Sequence, residues 1–153
     1  MTTTPIKRSL ALQSLSREHH YGLLLCWKIR TGFRKEVELE RIKAYADWVF
    51  KNDLLPHFQI EEDFVFPVLG NTNDLVKKAM AQHRKLKRLF RDTSDLNKSL
   101  YRIEEELEKH IRFEERILFN EIEKVVTDEQ LDLLLKAHNK NRVSENWADE
   151  FWK

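Results

Sequence analysis

Two stretches of this 153-residue chain carry metal-binding residue types at a spacing that suits them, His57-Phe58-Gln59-Ile60-Glu61-Glu62 and His110-Ile111-Arg112-Phe113-Glu114-Glu115. In each, a glutamate follows a histidine by four residues, a separation that puts both side chains on one helical face, one turn apart. Each stretch is therefore a two-toothed clamp for a cation. The likeness runs on past the carboxylates, with Phe64, Val65 and Phe66 standing where Ile117, Leu118 and Phe119 stand.

The clamps lie in apolar stripes. Leu96, Leu100, Ile103 and Leu107 lead in steps of four and three to His110, Glu114 and Ile117, the core pattern of a helix in a bundle. A glutamate there costs several kcal/mol of desolvation unless a cation or donor compensates. His83 falls in a similar stripe with Val76, Ala79, Leu86 and Phe90, and His19 in one with Leu12, Leu15, Leu23 and Cys26. Each half of the chain thus offers two imidazoles and one carboxylate. Two facing half-sites would hold two metals, with Glu61 and Glu114 free to bridge them and positions left open for a small ligand. One cysteine, Cys26, rules out a thiolate cluster, so imidazole and carboxylate point to iron, manganese or zinc.

The elements that must position these groups are long helices. Three glycines, three prolines, 35% charged and 41% hydrophobic residues describe amphipathic helices with few tight turns. Periodicity predicts a first helix over roughly 8–31 stopped by Gly32, and a second from Glu36 carrying Ile42, Ala46, Val49, His57, Ile60, Glu61, Phe64 and Val68 inward. Pro56 should kink or break it just before His57. After a turn at Gly70–Asp74 comes the third helix, after Asp92–Asp95 a fourth to about Lys124. Thr127 with Gln130 reads as a capping box opening a fifth, with Leu131, Leu134, Leu135 and His138 inward. The fold expected is all-α: an up-down-up-down four-helix bundle over 8–124 with an additional C-terminal helix over 127–153, packed on or extending the same domain. The second half echoes the first as a weak internal repeat.

Taken together these residues resemble the hemerythrin-like, or HHE cation-binding, domains. The resemblance runs over about residues 10–122 and rests on Leu15-Ser16-Arg17-Glu18-His19-His20, on the His57 box with Phe66-Pro67, on Gln82-His83-Arg84-Lys85-Leu86 and on the His110 box. It implies a bundle enclosing an oxo- or hydroxo-bridged pair of irons that binds dioxygen or responds to oxygen, nitric oxide or iron, with His57, Glu61, His83, His110 and Glu114 as ligands. The first-helix ligand is one of two neighbours. Helical phase selects His19, whereas comparison with His83 and the Leu86, Leu89 and Phe90 that follow it selects His20; phase is given the greater weight. Oxygen-carrying hemerythrins have a further histidine where this chain has Lys87, and a fourth-helix aspartate where it has Glu115, with Glu114 one residue earlier. The set of four histidines and two glutamates is similar to that of sensing and iron-repair members rather than reversible carriers.

The leading expectation is a cytoplasmic di-iron protein that binds dioxygen or another diatomic in sensing, storage or iron handling. An oxidase, peroxidase or nitric-oxide-processing enzyme is the alternative, and an interaction module with a structural metal, such as zinc, the third. A formal net charge of +1 gives no bias toward nucleic acid or membrane, and no apolar run is long enough to span a bilayer. Glu62 and Glu115, turned about 100° from their neighbours, are expected on solvated faces, as is the basic run from Lys77 to Arg91. Tyr21, Tyr45 and Tyr101 are expected to pack, and His138 to be a core or capping residue. Trp147, Phe151 and Trp152 have two placements open to them, against the bundle or between two chains of a homodimer.

Overall fold

The structure is a computed structural model that describes residues 7–138 and 147–153, and its described residues hold five helices and no strand. Helix α1 spans Leu10–Arg34. Helix α2 is a run of turns of unequal width: Leu39–Val49, a widened turn Phe50–Leu54, Leu55–Ile60, a second widened turn Glu61–Val65 and a tight one, Phe66–Val68. Helix α3 spans Asp74–Arg91. Helix α4 runs Leu96–Phe113, widens over Glu114–Leu118 and ends with Phe119–Val125. Helix α5 is Asp128–Ala137. No helix among the described residues is long and apolar enough to cross a membrane.

Local chemistry sets most boundaries. The Asn73 side chain accepts from the amides of Leu75 and Val76, Asp95 accepts from Lys98, and Thr127 with Gln130 forms the reciprocal capping box. At the far end of α3, the buried Lys43 ammonium donates to the Phe90 carbonyl at 2.8 Å and pairs with Asp47, placing a cation on the negative end of the helix.

Gly32 does not stop α1. The helix continues to Arg34, and Gly32 is buried where a Cβ would lie 2.6 Å from Ile42 Cδ1, so the glycine lets α1 and α2 approach closely. The stop comes later, where Val37 N–H donates to Gly32 O and Glu36 N–H to Phe33 O, with Glu36 at φ 56°. This is a Schellman ending whose left-handed position carries a glutamate instead of glycine.

The apolar core is divided in two. One cluster holds Cys26, Ile29, Ile42, Val49, Phe58, Leu86, Phe90, Ile103 and Leu107; the other holds Leu12, Leu15, Val65, Phe66, Val76, Ala79, Leu118 and Phe119. Along α1 and α3 the chain passes from the second cluster to the first, and along α2 and α4 from the first to the second. Adjacent helices are therefore antiparallel in up-down-up-down order, and His19, His57, Glu61, His83, His110 and Glu114 all fall in the layer between the clusters.

Both clamps sit where an α-helix widens. Phe66 N–H reaches back five residues to Glu61 O, and Phe119 N–H to Glu114 O, a π-type turn in each case. The extra residue advances the inward face by one position. Ile117, expected in the stripe, is 45% exposed while Leu118 and Phe119 are buried, and in α2 the buried pair is Val65 and Phe66 rather than Phe64 and Val68. The third widened turn, Phe50–Leu54, lies just ahead of Pro56, which has no amide proton to continue a regular ladder.

Of the two placements open to the aromatic tail, the structure shows packing against the chain's own bundle. Phe151 is buried in the first cluster, Tyr45 meets Trp147, Phe151 and Trp152, and Lys28 lies 3.7 Å over the Trp152 ring. Residues 147–153 form a bend and a turn, not a helix; of the C-terminal segment 127–153, residues 139–146 lie outside the described residues. Tyr45 and Tyr101 are packing residues, Tyr101 stacked on Phe33, and the basic run of α3 is largely exposed, with Lys85 paired to Glu106.

Because a non-glycine residue in the left-handed region costs about 1 kcal/mol or more, Glu36→Gly is expected to stabilise the fold by about 1 kcal/mol and raise Tm. A denaturant melt with an unchanged midpoint would contradict this account of the α1–α2 turn.

Candidate metal centre

Four imidazoles and two carboxylates meet in the layer between the two cores, all 5% exposed or less and both glutamates at 0%. His19 and His57 face each other with Nε2 atoms 3.2 Å apart, and His83 and His110 face each other at the same distance. Glu61 lies between the pairs, one oxygen 3.1 Å from His83 Nε2 and the other 3.2 Å from His57 Nε2. Glu114 Oε1 lies 2.9 Å from His19 Nε2 and 3.3 Å from His110 Nε2. Two four-residue groups result, His19, His57, Glu61, Glu114 and Glu61, His83, His110, Glu114, each with its ligand atoms within 4.8 Å of one another. The two glutamates are common to both.

The outer ring fixes the tautomers. His19 Nδ1–H donates to Glu115 at 2.6 Å, His57 to Glu18 at 2.8 Å, His83 to Glu62 at 2.7 Å and His110 to Gln82 at 2.6 Å. With Nδ1 committed as a donor, the lone pair of each neutral ring is on Nε2 and points inward. Two lone pairs aimed at each other over 3.2 Å repel unless something positive lies between them. Glu61 Oε2 and Glu114 Oε2 are likewise buried without a hydrogen-bond partner, and inner and outer carboxylates together carry five negative charges that a pair of divalent cations nearly neutralises. The donor set therefore fits two cations.

The expected solvated roles of Glu62 and Glu115 are overturned by this ring. Both are partly buried and turned onto an imidazole of the other half-bundle, because the residue 100° away from a ligand glutamate faces the neighbouring helix and not water. Glu18 and Gln82 were also not anticipated. The available signal was adjacency: each outer acceptor is the chain neighbour of an inner residue, Glu18 before His19, Gln82 before His83, Glu62 after Glu61 and Glu115 after Glu114. Between the two first-helix candidates, His19 is in the cluster, while His20 is exposed and outside it. His138 is in neither group; it follows α5 and bonds Glu18 Oε2 at 2.9 Å.

Aromatic rings close the layer with the same symmetry. Phe119 stacks on His19 at 5.4 Å and Phe66 packs on His83 at 5.3 Å. These are the residues that the widened turns bring inward. A cavity of about 290 Å³ opens beside the layer, with His19, His57 and His110 in its wall.

Without a cation, protons must do its work. Burial opposes charge on His57, but Glu61 and Glu18 outweigh it and lift the pKa from 6.5 to about 9; burial is likewise outweighed at His19 by Glu114, Glu115 and Glu61, and at His83 by Glu61 and Glu62. Burial would raise Glu61, yet His57, His19 and His83 hold it well below 4.5. Burial would also raise Glu18, which His138 and His57 bring down to about 2. The histidine contribution to stability is complete below pH 6.5 and lost as pH climbs through about 9; that of Glu61 and Glu18 is complete above pH 4.5 and lost in strong acid. Metal-free protein should thus be most stable between about pH 4.5 and 6.5, with Tm falling toward pH 9. Melts of chelator-treated protein across that range check this; a Tm that rises steadily to pH 9 contradicts it.

Comparison with known families places the geometry in context. The model of the hemerythrin HHE cation-binding domain matches residues 10–99, which include His19, His57, Glu61 and His83 but end before His110 and Glu114. Neither the curated proteins nor the solved structures gave a match. With more than half of its length matched, and with two His/Glu groups capable of holding cations at its centre, the chain belongs to the hemerythrin HHE cation-binding domain family.

Proposed function

We propose that this is a non-haem di-iron protein in which His19 and His57 would hold one iron and His83 and His110 the other, with Glu61 and Glu114 available to both. The observation that carries the reading is the pair of inward imidazole couples, each 3.2 Å apart, with two wholly buried carboxylates shared between them. Nitrogen and carboxylate donors suit ferrous and ferric iron, and shared carboxylates favour a dinuclear centre over two isolated sites. A closed structural zinc site uses four ligands and prefers thiolate, so a mere staple accounts poorly for six inward groups.

Bound iron would supply the electrons and open positions with which dioxygen or another diatomic is taken up. The protein's part is to fix each Nε2 lone pair through its outer acceptor, to exclude bulk water with Phe66 and Phe119, and to keep Glu61 ionised. The reading is of a protein that binds dioxygen or a related small ligand in oxygen, nitric-oxide or iron sensing, storage or iron handling. The buried free thiol Cys26, pushed up to about 12 by its burial, suits a reducing compartment, and the cytosol is the one proposed. An enzymatic role at the same centre gains support from the cavity alongside it, which is larger than a diatomic needs.

Protein expressed with iron is expected to contain about two irons per chain and to show absorption near the blue edge of the visible that changes on adding oxygen. Metal analysis showing no iron, with the fold intact, would sink the proposal. Glu62→Leu, which takes the acceptor from His83 without touching an inward group, should weaken metal binding by about 10- to 100-fold, measured by competition with a chelator.

A further inference from the structure

The cavity beside the centre has a volume of about 290 Å³ and lies between α1, the middle of α2, α4 and the end of α5. Its walls are largely apolar, with Gly22, Val49, Leu54, Phe58, Leu107 and Ile111 among them, while His19, His57 and His110 meet it from the metal layer. A cavity of about 150 Å³ is enough for benzene, and one small molecule such as water takes about 30 Å³. The space is therefore about twice that of an aromatic ring, far beyond a diatomic.

The internal repeat sets the α1 wall of this cavity apart from the equivalent turn of α3. Counting from the equivalent histidines His19 and His83, Gly22 corresponds to Leu86. Leu86 is 1% exposed and fills its place in the core, whereas Gly22 brings no side chain to the cavity wall. A Cβ on Gly22 would lie 2.7 Å from Ile111 Cδ1 and 4.0 Å from Leu54 Cδ2. Ile111 of α4 takes the space beside Gly22, so at this turn the cavity wall is backbone and the Ile111 side chain, where α3 has the Leu86 side chain. Polar side chains also line it, Glu18, Asn52, Asp53, Gln59 and His138 among them. A cavity of mostly apolar surface with convergent polar groups is the usual form of a small-molecule site.

We propose that this cavity binds an apolar organic molecule of about ten non-hydrogen atoms, seated against Gly22, Leu54 and Ile111 with one end toward His57 and His110. Its role as the substrate or effector pocket of the centre rests on the di-iron reading; its existence as a binding site does not. The occupant is a ring or short branched chain with one polar group.

Indole, with nine non-hydrogen atoms, is the probe. Calorimetric titration of full-length, iron-loaded protein is expected to give a Kd of about 1 mM or tighter, with amide shifts at Gly22, Leu54 and Ile111 in the metal-free protein. Gly22→Leu, which copies the Leu86 arrangement, should weaken indole about tenfold or more while the helical circular dichroism and the metal content stay at wild-type levels. Should Gly22→Leu not fold, Val49→Phe fills the same volume from α2 and carries the same expectation. Equal affinity of the wild-type and filled proteins, or shifts confined to another face, would overturn the proposal. Failure to bind indole in protein with its full complement of iron overturns the pocket and leaves the metal reading standing; indole bound at these residues in protein that takes up no iron supports the pocket and removes the metal.

Discussion

Two wholly buried carboxylates, Glu61 and Glu114, are the constraint from which the rest of the structure follows. In a layer sealed by apolar clusters on both sides, an unpaired glutamate would be neutralised or expelled. The protein surrounds them with four imidazoles, which then need their own orientation, and the outer ring of Glu18, Glu62, Gln82 and Glu115 provides it. Each shell exists because the one inside it would otherwise be unstable. Protons or cations can complete the innermost shell, and cations do so without requiring that a charged imidazole be buried.

The widened turns explain how one helix serves both the layer and the core. A regular α-helix carrying His57 and Glu61 inward would next bring in Phe64, and α4 would bring in Ile117. A π-type turn beginning at each glutamate inserts one residue, so that Val65 with Phe66 and Leu118 with Phe119 take the inward positions. The phenylalanines then reach the His83 and His19 rings across the bundle. The cost is a poorer hydrogen-bond ladder over five residues, borne twice, at the same place in each half.

The same turns mark the limit of what could be read from the chain. Helix identity, the antiparallel order and the six inward groups follow from periodicity, because four histidines and two glutamates interrupt otherwise apolar stripes. Phase favoured His19 while comparison with His83 favoured His20, and His19 is the one that the structure turns into the cluster. What periodicity cannot carry is a change of period: a stripe extrapolated at 3.6 residues per turn misplaces everything beyond Glu61 and Glu114 until the next turn, as it did for Phe64, Val68 and Ile117. The outer ring was hidden for a related reason, since a residue turned off the stripe was assigned to water when it faced a third helix. Gly32 misled because glycine serves close helix contact as well as helix endings, and the ending at Glu36 uses a residue that carries no such signal.

The repeat is close enough that its departures carry information. Gln82 stands where Glu18 stands, so His110 donates to a neutral amide while His57 donates to a carboxylate held down to about 2 and tied to His138 beyond α5. A carboxylate acceptor makes the opposite nitrogen of its imidazole a stronger donor than an amide does, which leaves the His57 half the more electron-rich. The cavity meets both imidazoles of the His19–His57 pair but only His110 of the other pair. The acceptor and the cavity thus both set the His19–His57 pair apart from its counterpart.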